Sequence, residues 1–279
     1  MALLIERQTF ANSWWALLNE LTFIGKIVSP RGQETKEILN VCFHVRDGLN
    51  NILLSEFRGL NYRFMIAEWL WIYGAFEDVE TLAKYNSIMK NFSDDGQILS
   101  GAYGPRLFTQ WDYILSSLRK PDSRQAVATI WTPSPKDSKD IPCTISVQWL
   151  IREGKIHTTV NMRSSDIWLG LPYDFFNFSQ LTNALASKLD VEVGSVTFNL
   201  GSSHLYSKDY NTAKEVISEG DYDSLASPPI ETNIDQKQAK AILNQDLSVE
   251  LPELFSSYRL ALENNKIHAL EVLRELAPK

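Results

Sequence analysis

Cys143 is the side chain of this sequence best suited to act as a nucleophile. It follows Pro142 and precedes an alternating apolar and polar run, so it is expected at the start of a β-strand. A thiol attacks carbon as its thiolate, which needs a positively charged neighbour or a general base. No protease signature surrounds it, and a lone cysteine is more often structural than catalytic. The other cysteine, Cys42, lies in an apolar strand-like run and is expected to be a small core residue.

Glu68 is the second candidate for chemistry, because it lies inside the apolar run from Tyr62 to Tyr73. A buried carboxylate is costly unless it is paired or functional. Burial would raise its pKa and suit it to general acid–base catalysis. The structural alternatives are an ion pair with Arg63 or a position at the edge of the helix.

Three stretches of the chain together resemble the core of the thymidylate synthase family. They are Pro142-Cys143-Thr144 followed by Gln148, the run from Arg163 to Asp174, and the run from Gly201 to Tyr206. The resemblance reaches from about Arg31 to about Tyr206. It implies an α+β fold with one mixed sheet and a homodimeric enzyme.

The implied reaction begins when the Cys143 thiolate attacks carbon 6 of a pyrimidine nucleoside monophosphate. Carbon 5 becomes nucleophilic and takes a one-carbon unit from 5,10-methylenetetrahydrofolate, the implied co-substrate. Loss of the carbon 5 proton and of tetrahydrofolate leaves an exocyclic methylene. A synthase reduces this methylene with hydride from the folate, whereas a hydroxymethylase adds water. No metal is implied.

The resemblance also assigns expected roles to individual residues. The substrate contacts are Gln148, the phosphate-binding Arg31, Arg163 and Ser164, and the ribose pair His204 and Tyr206. Arg124 is expected to reach the phosphate across the dimer interface. The family has two consecutive arginines there, and Gln125 replaces the second, which removes one charge. Tyr103 is expected to assist removal of the carbon 5 proton, and the folate contacts are Asp166, Glu68 and Met89.

Asp174 stands where the family usually has an asparagine that reads uracil. A carboxylate carries only acceptors, so it mismatches the oxygen at position 4 of uracil and matches the amino group of cytosine. Asp174 therefore points to the cytidylate hydroxymethylase branch of the family. Its alternative role is that of a helix N-cap before Phe175, a position that aspartate favours.

Further departures from the synthase pattern favour hydration of the methylene over its reduction. Met89 and Phe92 replace tryptophans that shield the intermediate, and the last residues lack the apolar end that closes over folate. Thr144 and the run from Gly201 to His204 also look like a cytidylate hydroxymethylase. The alternatives are a cytidylate 5-methylase or thymidylate synthase that uses folate as reductant, and a non-catalytic nucleotide-binding homologue, which Gln125 favours. Ser164 mildly favours a deoxyribose substrate.

Composition limits the partners and the compartment. The chain has 279 residues, a formal net charge of -7 and two cysteines. Without a strongly basic stretch, duplex nucleic acid is an unfavourable partner. No apolar run approaches the roughly 20 residues that cross a bilayer, and the early charges exclude a signal-peptide core. We therefore expect a cytoplasmic protein that contacts neither nucleic acid nor membrane.

Separated helical and strand-like patterns must position these residues. Helices are predicted over residues 9–24, 62–73, 78–84, 111–118 and 175–189, and strands over 38–46, 126–131, 144–151, 156–162 and 196–200. Three short helices are predicted between residues 234 and 276. This mixture indicates an α+β fold with one main sheet. We divide the chain into an N-terminal helical segment over 1–30, a catalytic domain over 31–225 and a helical C-terminal extension over 226–279, packed on the same domain.

Overall fold

The computed structural model describes residues 2–55, 57–133, 137–220, 223–228, 230, 234–263 and 266–278. In these parts of the chain, eight strands form one mixed sheet. They are β1 (Leu3–Arg7), β2 (Lys26–Val28), β3 (Thr35–Val45), β5 (Val127–Thr129), β6 (Thr144–Arg152), β7 (Lys155–Met162), β8 (Ser165–Asp166) and β9 (Glu192–Tyr206). A separate pair joins β4 (Asn50–Leu53) to β10 (Ser224–Ala226).

The long strand β9 organises the sheet, whose strand order is β1-β3-β9-β7-β6-β5. It pairs antiparallel with β3 and parallel with β7 and the short β8. Strands β6 and β7 form the predicted hairpin, which turns through Glu153 and Gly154 with positive φ at both residues. The ends of β7, β8 and β9 therefore bring the predicted site residues to one region of the sheet.

Ten α-helices lie within the described ranges. They are α1 (Phe10–Ile24), α2 (Tyr62–Tyr73), α3 (Val79–Ala83), α4 (Tyr103–Phe108), α5 (Trp111–Leu118), α6 (Leu171–Leu189), α7 (Tyr210–Glu219), α8 (Gln236–Leu243), α9 (Glu253–Glu263) and α10 (Lys266–Leu276). The α+β class is confirmed, and so are the three short helices near the C-terminus. Helices α8, α9 and α10 contact α2.

The core lies between one face of the sheet and helices α1 and α6. Phe10 of α1 stacks on Phe175 of α6 with ring centroids 4.6 Å apart. Phe43 and Phe198 of the sheet complete this fully buried cluster. Burying each ring stabilises the fold by about 1.5–3 kcal/mol. Because α6 is fixed along this core, the orientation of its first turn is fixed as well.

The sequence patterns missed several element boundaries. Helix α6 begins at Leu171 rather than at Phe175, because Pro172 suits the first turn of a helix. Strand β9 extends well beyond the predicted 196–200 in both directions. The N-terminal segment, predicted as helical, also supplies β1 and β2, which both pair with β3. No helix in the described ranges has the length and apolar character needed to cross a bilayer.

Candidate active site

Cys143 lies immediately before β6, where Arg163, just after β7, holds the preceding loop. The Arg163 guanidinium donates from Nε to the carbonyl of Pro142 at 3.0 Å and from Nη2 to that of Ile141 at 2.9 Å. The same Nη2 lies 3.7 Å from the Cys143 Sγ, and the Ser164 Oγ also lies 3.7 Å from this sulfur. These contacts give the thiol a cation and a hydroxyl as neighbours.

The electrostatic environment of Cys143 contains opposing contributions. Burial raises the pKa of the thiol, and the charges of Asp174 and Asp140 act in the same direction. Arg163 and the hydrogen bond with Ser164 lower the pKa. Arg163 therefore offsets part of the cost of forming a buried thiolate, as nucleophilic catalysis by cysteine requires.

Tyr103 begins α4 and places its hydroxyl beside the first residue of β6. The hydroxyl oxygen accepts from the backbone N–H of Thr144 at 3.4 Å, and the ring stacks on Phe178 with centroids 6.0 Å apart. Burial raises the pKa of Tyr103 well above its ordinary value, and the charges of Asp174 and Cys143 add to this effect. The phenol therefore stays protonated close to the nucleophile.

Asp174 lies in the first turn of α6, but it is not the N-cap. Gly170 occupies the cap position, so the alternative role of Asp174 as the N-cap is wrong. Burial raises the pKa of Asp174 well above its ordinary value, and the charges of Glu68 and Asp166 raise it further. In the described parts of the chain, no protein group hydrogen-bonds to this carboxyl group. Asp174 is thus a half-buried acid whose polar atoms are available to a ligand.

Glu68 projects from α2 towards α6, where the Asn177 Nδ2 donates to its Oε2 at 2.8 Å. Burial raises the pKa of Glu68 to about 7, whereas the hydrogen bond from Asn177 lowers it. The ion pair with Arg63 is not formed, because Arg63 donates instead to the Leu262 carbonyl at 2.7 Å and lies over the ring of Tyr85. Glu68 is therefore a half-buried carboxyl group with a pKa of about 7, a value that suits acid–base work at neutral pH.

Strand pairing brings the predicted folate and ribose contacts together. Asp166 of β8 is the register partner of His204 of β9, and the His204 ring lies edge-on to Tyr206 at 5.4 Å between centroids. Asp166 Oδ1 accepts from the backbone N–H groups of Trp168 and Leu169 at 2.9 and 2.8 Å. Burial raises the pKa of Asp166 and lowers that of His204, so the imidazole is neutral at pH 7.

Arg31 lies at the edge of this group, in a short turn over Pro30–Gly32 with φ at 53°. Its side chain is exposed. Thr35, shortly after the turn, is the register partner of Tyr206. Burial raises the pKa of Tyr206, and the Arg31 charge partly opposes this effect. An accessible cation therefore stands near the ribose-contact pair.

The remaining predicted residues lie outside the group around Cys143. Arg124 is exposed, and its carbonyl accepts from the Gln148 Nε2 at 3.1 Å. Gln148 thus contacts the Arg124 segment in this chain. Met89 lies in a short 3₁₀ helix over Ser87–Asn91 and packs against the hydrophobic core.

Sequence reasoning missed two residues that complete the site. Asn177 lies three positions after Asp174, and a single amide on a buried helix carries no recognisable pattern. Arg58 donates from Nε to the Trp168 carbonyl at 2.5 Å and lies over the Trp168 ring at 5.4 Å. Burial lowers the pKa of Arg58, while Tyr173 and Asp166 raise it. Only the fold brings this loop arginine close to Asp166.

Comparisons with known proteins find relatives of this chain. Residues 16–252 match the family model described as thymidylate synthase. A deoxyuridylate hydroxymethyltransferase of Bacillus phage SP01 is 34% identical over 207 residues, which cover 67% of this chain and 54% of the phage protein. A putative thymidylate synthase of Methanothermobacter marburgensis is 31% identical over 228 residues, covering 79% of this chain and 100% of that protein.

A thymidylate synthase 1 of Bacillus spizizenii is 30% identical over 168 residues, which cover 55% of this chain and 60% of the relative. The chain thus spans about half the length of the phage relative and the whole of the archaeal one. The family match begins before Arg31 and ends after Tyr206, so it extends beyond the motifs on both sides.

Proposed function

The chain belongs to the thymidylate synthase family, and from that premise we propose that it is a 5-hydroxymethylase of a cytidine monophosphate. Members of this family are one-carbon transferases. The observation that carries the choice of base is the Asp174 carboxyl group, buried near Glu68 and Cys143 without a protein hydrogen bond in the described ranges. The choice of a hydroxymethyl product draws support from the name of the phage relative.

Base recognition follows from the protonation state of Asp174. Burial and the neighbouring negative charges favour its protonated form in the free protein. A carboxylic acid can donate to ring nitrogen 3 of cytosine and accept from the amino group at position 4. The neutral acid would pair with uracil as well, by donating to the oxygen at position 4 and accepting from the N–H at position 3. Discrimination therefore comes with ionisation of Asp174, because a carboxylate facing the oxygen of uracil is a mismatch.

The first chemical step uses Cys143 and Asp174 together. The thiolate forms a bond to carbon 6, the electron pair of the ring double bond moves towards nitrogen 3, and nitrogen 3 takes the proton of Asp174. The resulting carboxylate then accepts from both nitrogens, so the contact becomes charge-assisted as the adduct forms. An interaction that strengthens in this way lowers the barrier rather than merely binding the substrate. The amidine-like nitrogen of cytosine is a stronger base than the oxygen of uracil, which favours cytosine.

Two further groups handle protons later in the reaction. Tyr103 stays protonated, so it acts by holding a water molecule that receives the carbon 5 proton. Glu68, with a pKa raised to about 7, can both accept and release a proton near neutral pH. Glu68 would direct the water that adds to the methylene carbon.

The residues present fit 5,10-methylenetetrahydrofolate as the co-substrate, which would supply the one-carbon unit. Asp166 keeps Oδ2 unbonded to protein in the described ranges while Oδ1 is held by two backbone N–H groups. A free carboxylate oxygen suits the N–H donors of a pterin. We assign Asp166, Glu68 and Met89 to this ligand.

The phosphate and sugar contacts complete the proposal. Arg31, Arg163 and Ser164 would bind the phosphate, with His204 and Tyr206 on the ribose hydroxyl group. Arg163 contacts the Pro142 and Ile141 carbonyls, the Cys143 sulfur and the Ser164 hydroxyl, which leaves one of its five guanidinium N–H groups for the phosphate within the described ranges. The exposed Arg124 would reach the phosphate of a second copy in a homodimer, and Gln148 would hold the Arg124 segment in place.

A second candidate is hydroxymethylation of a uridine monophosphate, which the name of the phage relative favours. Mass spectrometry of the products from cytidine, deoxycytidine, uridine and deoxyuridine monophosphates with methylenetetrahydrofolate separates the candidates. We expect a hydroxymethyl product from one of the cytidine nucleotides. A product from the uridine nucleotides alone would refute the base assignment, and a methyl product would refute the hydration step.

A further inference from the structure

Asp140 connects the nucleophile loop to the segment that carries Tyr103. Its Oδ2 accepts from the backbone N–H of Gly101 at 2.7 Å. Asp140 lies three residues before Cys143, and Gly101 lies two residues before Tyr103. The bond therefore joins the two chain segments just upstream of the two groups expected to act on the same base.

A second tie joins the same segments on the other side of the nucleophile. The Thr144 backbone N–H donates to the Tyr103 hydroxyl at 3.4 Å. Cys143 thus lies between two cross-links to one segment, at Asp140 and at Thr144. Two such points fix the orientation of the Tyr103 ring relative to the thiol as well as the separation of the segments.

The two segments approach each other so closely that Gly101 is required. A Cβ atom on Gly101 would lie 2.5 Å from the backbone oxygen of Asp140, closer than real Cβ contacts come. A cavity of about 580 Å³ is lined in part by Asp137, Ser138 and residues 140–142. Where this segment borders the cavity it lacks packing contacts, so hydrogen bonds contribute more to keeping its place.

We infer that Asp140 is a positioning residue, which sets the distance between the Cys143 thiol and the Tyr103 hydroxyl through its bond to Gly101. The inference rests on the proposed function, in which both groups act on one pyrimidine ring. Asp140 itself does not touch the reacting atoms.

The electrostatics of the loop supports a geometric role. The charge of Asp140 raises the pKa of Cys143, and burial raises the pKa of Asp140 itself. A carboxylate at this position works against thiolate formation. Its benefit must therefore come from the hydrogen bond, which a neutral acceptor can also make.

Asp140→Ala and Asp140→Asn separate these contributions. The alanine variant loses the acceptor for Gly101, and we expect kcat to fall roughly 10- to 100-fold with little change in KM for the nucleotide, because reacting groups are misplaced. The asparagine variant keeps an acceptor oxygen and should recover most of kcat. Asp137→Ala is the matched control, since it removes an exposed carboxylate from the same loop.

A readout that does not depend on turnover is hydrogen–deuterium exchange of the peptide containing Gly101. We expect faster exchange in Asp140→Ala and wild-type exchange in Asp140→Asn and Asp137→Ala, with nucleotide absent. Equal kcat in the alanine variant and wild type would overturn the inference, as would failure of asparagine to restore either readout. If wild type makes no cytidylate product, the proposed function fails, while the exchange experiment still tests the tie between the segments.

Discussion

Cys143, the proposed nucleophile, and the carboxyl groups of Asp174 and Glu68 are held in different ways. Around Cys143, Arg163 donates to two loop carbonyls and Thr144 donates to Tyr103, so the protein holds the backbone on both sides of the cysteine. Around Asp174, Glu68 accepts one bond, and the Asn177 Oδ1 is buried with no partner in the described ranges. The protein thus fixes the backbone beside Cys143, whereas the carboxyl groups are left for a ligand to complete.

This difference separates two requirements of covalent catalysis. A nucleophile must be in place before the substrate arrives, and backbone hydrogen bonds achieve this. A side chain that reads a base discriminates best when only the correct base makes the hydrogen bonds that offset the free-energy cost of removing that side chain from water. The raised pKa values of Asp174 and Glu68 are the signature of that unsatisfied state.

The largest expected effect comes from removing the nucleophile. Cys143→Ser should lower turnover by a factor of about 10⁴ or more, because the serine hydroxyl ionises far less readily than the thiol. Cys42→Ser is the matched control, and its turnover should stay close to that of wild type. Both are measured by product formation with the preferred nucleotide. Retained turnover in Cys143→Ser would show that Cys143 is not the nucleophile.

Changing the base reader should alter selectivity rather than abolish reaction. Asp174→Asn offers one donor and one acceptor and cannot release a proton to ring nitrogen 3. We expect the ratio of kcat/KM for cytidylate over uridylate to fall by about 10²- to 10⁴-fold. Competition between the two nucleotides in one reaction measures this ratio directly. An unchanged ratio would mean that Asp174 does not read the base.

Sequence patterns were informative where a local rule applies. The hairpin of β6 and β7 follows from strand alternation around a glycine turn, and α2 follows from its apolar run. The start of α6 was missed because Pro172 was not recognised as a first-turn residue. That boundary also decides whether Asp174 is an N-cap, the alternative role that the sequence had left open.

Local sequence rules could not predict which residues contact each other within the site. Asn177 and Glu68 are 109 residues apart in the chain, and Asp140 and Gly101 are 39 apart. Such pairs are set by how α2, α6 and the loops pack together. The resemblance supplied Cys143, Arg163 and Asp166 from their motifs, but it did not supply Arg58, Asn177 or Asp140.

The raised pKa of Glu68 predicts a pH dependence of stability. The pKa rises from 4.5 to about 7 on folding, so the folded state binds a proton that the unfolded state has released. The proton on Glu68 stabilises the folded state fully below about pH 4.5, and this stabilisation is lost as pH rises through about 7. The free energy of unfolding changes by about 3 kcal/mol between these limits. We therefore compare the free energy of unfolding in urea between Glu68→Gln and wild type. The advantage of Glu68→Gln should be larger at about pH 8 than at about pH 5. A constant margin would contradict burial of an ionisable Glu68.

The smallest expected effect concerns Asn177, whose bond lowers the pKa of Glu68. Asn177→Leu removes this donor, so the pKa should rise above about 7 and the pH at which wild type loses stability should move upward with it. The change also removes the buried Oδ1 that has no partner in the described ranges, which limits the loss of stability at low pH to about 1 kcal/mol.

Asn183→Leu is the matched control, because Asn183 is a second buried asparagine of α6. Its amide bonds the Pro228 carbonyl and the Ile230 N–H rather than a carboxylate. We therefore expect it to cost stability equally at every pH. If both leucine variants shift the pH dependence of stability alike, the packing of α6 rather than the Asn177 bond sets the pKa of Glu68. The surrounding protein would then hold the Glu68 carboxyl group as firmly as it holds Cys143.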